Sequence, residues 1–145
     1  MFDDAYFMKR ALAEAQKAFA MDEIPIGAVV VCQNQIIARA HNLTEQLIDV
    51  TAHAEMQAIT AAANYLGGKY LTDCILFVTV EPCVMCAGAL GWSQIGRVVF
   101  GALDNKRGFQ KLAPQALHVK TELVGGVLAD ECSALMQEFF ARKRR

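Results

Sequence analysis

The chain is poor in the residues that punctuate or staple small folds. Its 145 residues include three prolines, one tryptophan and three histidines. No apolar run approaches the roughly 20 residues that a membrane helix needs, so no spanning segment is expected. The start, Met1-Phe2-Asp3-Asp4, is acidic where a secretion signal would be basic, so export is not expected either. Five cysteines is an odd number, which argues against a disulfide framework and for a reducing, cytoplasmic setting. A net charge of −1 provides no global attraction to nucleic acid. There is no internal repeat, linker or low-complexity segment.

What is present is apolar. The hydrophobic fraction is 54%, enough for a well-buried interior, and the length suits one domain over residues 1–145. Residues 3–20 read as a helix whose stripe is Met8, Leu12, Ala15 and Phe19. Ile26 to Cys32 reads as a strand covered on both faces, and Ile36 to Ala40 as its hairpin partner. A helix from about Ala52 to Leu66 ends at Gly67-Gly68. Ile75 to Val80, Val98 to Phe100 and Val119 to Val124 read as strands. A helix opens at Pro82, another near Ala129, and a helical turn is possible within Asp104 to Ala116. Helix, hairpin, then alternating strands and helices imply an α/β fold. It has one mixed sheet of about five strands between helical layers.

The chemistry concentrates in Glu81-Pro82-Cys83-Val84-Met85-Cys86 and in Thr51-Ala52-His53-Ala54-Glu55. Cys83 and Cys86, three apart in a first helical turn, share a face and sit where the helix dipole favours thiolates. His53 is expected in the first turn of its own helix. One imidazole and two thiolates suit zinc, and three ligands leave a fourth position for water, as in a catalytic site. Glu55 lies about 200° around the helix from His53, from the 3.6-residue period, and is read as a proton carrier rather than a ligand. Cys-x-x-Cys alone would also suit a structural zinc knuckle or a redox pair, but among Cys32, Cys74, Cys132, His41 and His118 no second closely spaced pair supplies the fourth ligand of a closed structural site. Cys32, Cys74 and Cys132 are expected to be buried, inert thiols.

His53-Ala54-Glu55 followed by Pro82-Cys83-x-x-Cys86 resembles the zinc-dependent nucleoside and nucleobase deaminases of the cytidine deaminase-like class. That resemblance implies a three-layer α/β/α fold with one zinc per subunit. Within the class, the chain is most similar to the branch that deaminates adenosine in tRNA. Pro25-Ile26-Gly27-Ala28-Val29 resembles that branch's first strand, beside the base pocket. Asn42 matches its pocket asparagine. Gly101 to Gly108 resembles its substrate loop, with Asp104 where the RNA sugar is met. Gly126 to Cys132 resembles the opening of its last helix. The resemblance implies hydrolytic conversion of wobble adenosine to inosine by zinc-activated water. The partner would be a tRNA anticodon loop, and the enzyme a homodimer. Ile26, Asn42, Ala54, Asp104 and Lys106 would then bind substrate. Trp92 and the stretch Phe109 to His118 depart from the family's pattern.

Other readings stay open at this level. Asn42 also fits a turn after a strand, and Asp104 a loop cap. Trp92 and Phe109 could stack on bases, or Trp92 could serve the core or a subunit interface. Arg97, Lys106, Arg107 and Lys111 lie close in sequence and, with the tail Arg142-Lys143-Arg144-Arg145, could bind phosphates or simply be solvated. A deaminase of a free base or small nucleotide is the alternative enzyme. A zinc-stabilised RNA-binding module is the alternative without catalysis.

Overall fold

A computed structural model describes residues 1–144; Arg145, the last residue of the basic tail, lies outside them. The chain runs α1 (Asp4–Ala20), β1 (Gly27–Cys32), β2 (Gln35–His41), α2 (Ala54–Leu66), β3 (Cys74–Val80) and α3 (Val84–Ser93). It continues through β4 (Arg97–Ala102), α4 (Phe109–Leu112), β5 (Glu122–Val124) and α5 (Ala129–Lys143). The five strands form one sheet in the order β2-β1-β3-β4-β5. β1 is antiparallel to β2 and β3, while β3, β4 and β5 are parallel. The sheet is therefore mixed, as the order of elements implied.

Strand alternation divides the core in two. Ala28, Val30, Leu76, Val78 and Val98 face one side, where they pack with Ala54, Ala58 and Ala62 of α2 and Leu90 of α3. Val29, Val31, Phe77 and Val99 face the other, against Phe7, Met8 and Ala11 of α1 and Cys132 of α5. Side chains of successive strand residues point to opposite faces, so an unbroken apolar strand needs helices on both sides. The result is the expected three-layer α/β/α arrangement.

Local signals explain the boundaries. Asp3 caps α1 by accepting a hydrogen bond from the Tyr6 N–H, so it precedes the first turn rather than lying within it. Gln33 and Asn34 both have positive φ, 53° and 60°, the backbone of a two-residue hairpin turn. Gly67, at φ 71°, closes α2 in the left-handed conformation. A Cβ at Gly91 would fall 2.3 Å from the Ala116 carbonyl oxygen, so this glycine marks a close approach inside α3.

Several expectations need correction. The buried stripe of α1 is Phe7, Met8, Ala11, Ala15 and Ala18, while Leu12 and Phe19 lie at its margin. β5 is three residues long, and Val119 is exposed outside it. Arg97 stands apart from Lys106 and Arg107, because it opens β4 and they follow its end. Its guanidinium pairs with both Asp4 oxygens at 2.7 Å and also with Glu122. It ties the start of α1 to two parallel strands. The described part of the tail is folded as well: Lys143 pairs with Asp22, and Arg142 lies over the Phe19 ring.

The hydrogen bond from Arg97 holds the Asp4 carboxyl below its ordinary pKa. A depressed carboxylate contributes stability that is complete above the unfolded value of about 3.9 and lost as pH falls through the folded one. Asp4→Asn is therefore expected to cost on the order of 1 kcal/mol at pH 7, after discounting for solvent screening. The difference from wild type should shrink below about pH 4, as read by urea unfolding at each pH. A difference independent of pH would mean that the ion pair is not its source.

Candidate metal centre and its surroundings

Topology places the candidate residues along one rim of the sheet. α3 follows the carboxyl end of β3, and the Asp104 loop follows the carboxyl end of β4, which is parallel to β3. β1 runs the opposite way, so its beginning at Gly27 lies at that same rim, with His41 of β2 opposite. Ile26, Asn42, His53, Cys83 and Asp104 all follow or precede strand ends there. Crevices outside the carboxyl ends of strands are where open α/β sheets bind ligands.

His53 is the N-cap of α2 and Cys83 the N-cap of α3, one residue before the first turn that sequence alone suggested for each. Pro82 accordingly precedes the cap. The caps have extended backbones, so their side chains are free to project over the helix ends. Cys83 and Cys86 still meet, because an N-cap side chain sits beside that of the third helical residue. The Sγ atoms of Cys86 and Cys83 lie 3.4 Å and 3.6 Å from His53 Nδ1. All three potential ligand atoms lie within 4.8 Å of one another. Tetrahedral zinc with Zn–N of about 2.0–2.1 Å and Zn–S of about 2.3 Å would separate nitrogen from sulfur by about 3.6 Å. The donor set and its spacing therefore fit zinc.

The electrostatics agree. Cys83 is held down to about 4, first by its hydrogen bond with Cys86 and also by His53. The same bond leaves the shared proton on Cys86, whose pKa is pushed up. His53 is raised, first by its hydrogen bond with Cys83. A metal arriving at this cluster displaces the shared proton, because ligation requires thiolates. Glu55 is buried against the cluster outside the three-atom set. Burial pushes its carboxyl up to about 7.

The remaining sequence candidates separate into buried and exposed groups. Ile26 is half-buried, and its carbonyl accepts from the Asn42 N–H. Asn42 is buried, and its Nδ2 donates to Glu23 Oε1 and Thr44 Oγ1, both at 3.2 Å. Ala54 is fully buried at the first position of α2. Asp104 Oδ1 accepts from the N–H groups of Lys106 and Arg107, which is the loop-capping role. Lys106 is exposed. Trp92 is 86% exposed, which removes it from the core, whereas Phe109 is 1% exposed and cannot stack on a base. Cys74 and Cys132 are buried; Cys32 is half-buried at the sheet end, in register with Cys74.

Sequence reading missed two buried carboxylates. Glu81 Oε1 accepts from Asp104 N–H, and Oε2 accepts from both the N–H and the side-chain amide of Gln110. Glu81 thus holds the loop from 104 to 110 against the cysteine-bearing segment, helped by the Phe109 N–H donating to the Pro82 carbonyl. A Cβ at Gly108 would fall 2.3 Å from Glu81 Oε1, so glycine is required for this approach. Glu23 does the same for the loop after Asn42. The available signal was position: each acid adjoins a proline-containing apolar stretch, where burial demands partners.

A family model for the cytidine and deoxycytidylate deaminase zinc-binding region matches residues 1–102. The chain belongs to this family. It is a zinc-dependent deaminase fold with the family's His-x-Glu and Pro-Cys-x-x-Cys segments in contact. The chain is 46% identical over 144 residues to the tRNA-specific adenosine deaminase of Aquifex aeolicus, covering 96% of this deaminase and 95% of the relative. A solved structure from work on A-to-I editing by tRNA:A34 deaminases superposes with a TM-score of 0.84 at 40% identity. That match covers 90% of this chain and 98% of that one. The guanine deaminase of Nitrosomonas europaea superposes at 0.82 with 25% identity, covering 97% and 86%. The two scores are nearly equal while the identities are not, so the fold alone does not choose the substrate.

Two outcomes are expected. Cys83→Ala should lose zinc and turnover together by metal analysis and assay; an active, zinc-free variant would remove zinc from the chemistry. Glu81→Ala should strand three donors and cost about 1–3 kcal/mol. Hydrogen exchange should accelerate selectively at the amides of 104–110, and uniform acceleration across the chain would contradict the loop-anchor role.

Proposed function

We propose that this chain hydrolyses adenosine to inosine at the wobble position of a tRNA anticodon. The observation that carries the reaction is the buried Glu55 beside a three-donor cluster, one donor short of a closed tetrahedral zinc site. The choice of substrate is supported by the high identity over nearly the whole length to enzymes named for tRNA adenosine.

His53, Cys83 and Cys86 would hold the metal. Bound zinc supplies a Lewis acid that lowers the pKa of water from about 15.7 to about 7. Glu55 carries the protons. Burial favours the protonated form of its carboxyl, which suits a group that both accepts and releases a proton. It takes one from the attacking water and delivers it to the adenine ring, and a second proton leaves with ammonia. Oxygen from water replaces nitrogen at C6, so the atoms balance. Asn42, Ile26 and the backbone of Ala54 shape the base pocket, since a base edge needs both donors and acceptors. Asp104 and Lys106 meet the sugar and phosphate of the loop. An anticodon base is cheaper to unstack than one within a duplex.

The chain acts as one deaminase domain and pairs with a second copy. Val84 and Trp92 stand exposed on α3 along one ridge, at i and i+8, and suit a subunit contact. No helix among the described residues is long and apolar enough to cross a membrane. We place the enzyme in the cytoplasm with its tRNA.

Glu55→Ala should retain zinc while turnover falls by at least about a hundredfold, as expected of a general acid–base group. Loss of the metal in that variant would make the carboxylate a ligand. Wild-type protein should form inosine from an anticodon stem-loop and none from free bases. Xanthine or uracil from a free base or nucleotide, without inosine from RNA, would favour the small-molecule reading instead.

A further inference from the structure

Glu23 lies in the break between α1 and β1 and is completely buried. Its carboxylate accepts three N–H groups: Asn42 Nδ2 at 3.2 Å, the Glu45 amide at 3.1 Å and the Gln46 amide at 2.7 Å. Its own N–H is held by the Ala18 carbonyl at 2.9 Å, so the acid is fixed to the end of α1. The partners lie on the loop that carries Asn42 to the rim.

The chemistry of this contact is directional. A carboxylate only accepts, so the Asn42 amide must present nitrogen, not oxygen, to Glu23. Thr44 Oγ1 accepts from the same nitrogen. Among the described residues Asn42 Oδ1 has no hydrogen-bond partner, and it is not sealed away from solvent. An asparagine can otherwise turn its amide end for end at little cost, and doing so exchanges acceptor for donor.

Resting on the reading of Asn42 as a base contact, we propose that Glu23 is a positioning residue for substrate recognition. It fixes which end of the Asn42 amide the pocket offers and holds the loop that carries it. It touches neither substrate nor metal cluster. Glu23→Gln changes little in shape but provides a donor as well as an acceptor. Oε1 is shared by Asn42 Nδ2 and the Glu45 N–H, while Oε2 takes the Gln46 N–H, so either placement of the glutamine nitrogen strands a backbone donor and releases the hold on the Asn42 amide.

The test is a double-mutant cycle on kcat/KM for an anticodon stem-loop, with zinc content measured for each protein. Glu23→Gln is expected to retain zinc and lose about tenfold or more, the scale of a misdirected buried hydrogen bond. In the Asn42→Ala background the same substitution should cost less than about twofold, because its target is gone. If Asn42→Ala is impaired but the two losses multiply, Glu23 does not act through Asn42 and the proposal fails. If Asn42→Ala alone matches wild type, the pocket role of Asn42 fails, and this inference with it. Glu23→Asp, which keeps the charge and shortens the arm, takes the place of Glu23→Gln if that variant does not fold, with the same coupling expected.

Discussion

Two helices begin at one rim of the sheet, and neither start is capped by a side-chain oxygen. N-caps usually carry serine, threonine, aspartate or asparagine, whose oxygen accepts an otherwise unbonded N–H. Here the caps are His53 and Cys83, and no side-chain cap bond is made. Two positive helix ends therefore face a shared space, which favours anionic occupants. Thiolates answer that field, and a divalent cation then binds the thiolates. With a neutral imidazole, two thiolates and one zinc ion carry no net charge. Glu55 is then the ionisable group left over, buried beside the ligands and outside their set. The field of the fold thus divides the ligands from the proton carrier.

The rim itself was legible in the sequence to a large extent. An apolar strand running into Pro-Cys-x-x-Cys, and a histidine opening a helix that ends in Gly-Gly, define two strand-to-helix junctions without coordinates. The three-layer arrangement followed from β1 and β3 being apolar on both faces. The error of one residue at each cap has a physical origin. Period-based reading finds where helical backbone is compatible with the side chains, whereas a cap is defined by a hydrogen bond from a residue whose backbone is not helical. The ligand set survived because N-cap and N3 side chains are neighbours, much as i and i+3 are.

Less legible were features that depend on contacts distant in sequence. Arg97 looked like part of a basic patch with Lys106 and Arg107, yet β4 carries it to the opposite rim, where Asp4 and Glu122 neutralise it. Phe109 looked available for stacking, and the short α4 turns it inward. Trp92, on an apolar helix, faces solvent, because α3 buries the side that carries Cys86, Ala87, Leu90 and Ser93. β5 pairs with β4 only at Arg97, Val98 and Val99, and beyond it the N–H groups of Gly126 and Val127 donate to the Gly101 and Phe100 carbonyls from outside the strand. None of these outcomes leaves a mark in local periodicity.

Glu23 and Glu81 connect that gap to function. Deaminases named for different substrates share this fold, so the fold alone does not discriminate among them, and the loops above the rim are where discrimination can reside. Loops can be made rigid by proline, but this chain has three, and only Pro25 and Pro82 border the site. Rigidity comes instead from two buried carboxylates, each accepting three N–H groups from one loop. Such an anchor fixes backbone amides and leaves outward side chains unconstrained. Sequence can then vary at exposed positions such as Lys106 while the loop path is kept. The strength of the anchor is also its vulnerability: an acceptor lost beneath the loop strands several buried donors at once. A change at Glu23 or Glu81 should therefore disturb recognition more than one at the exposed residues above them.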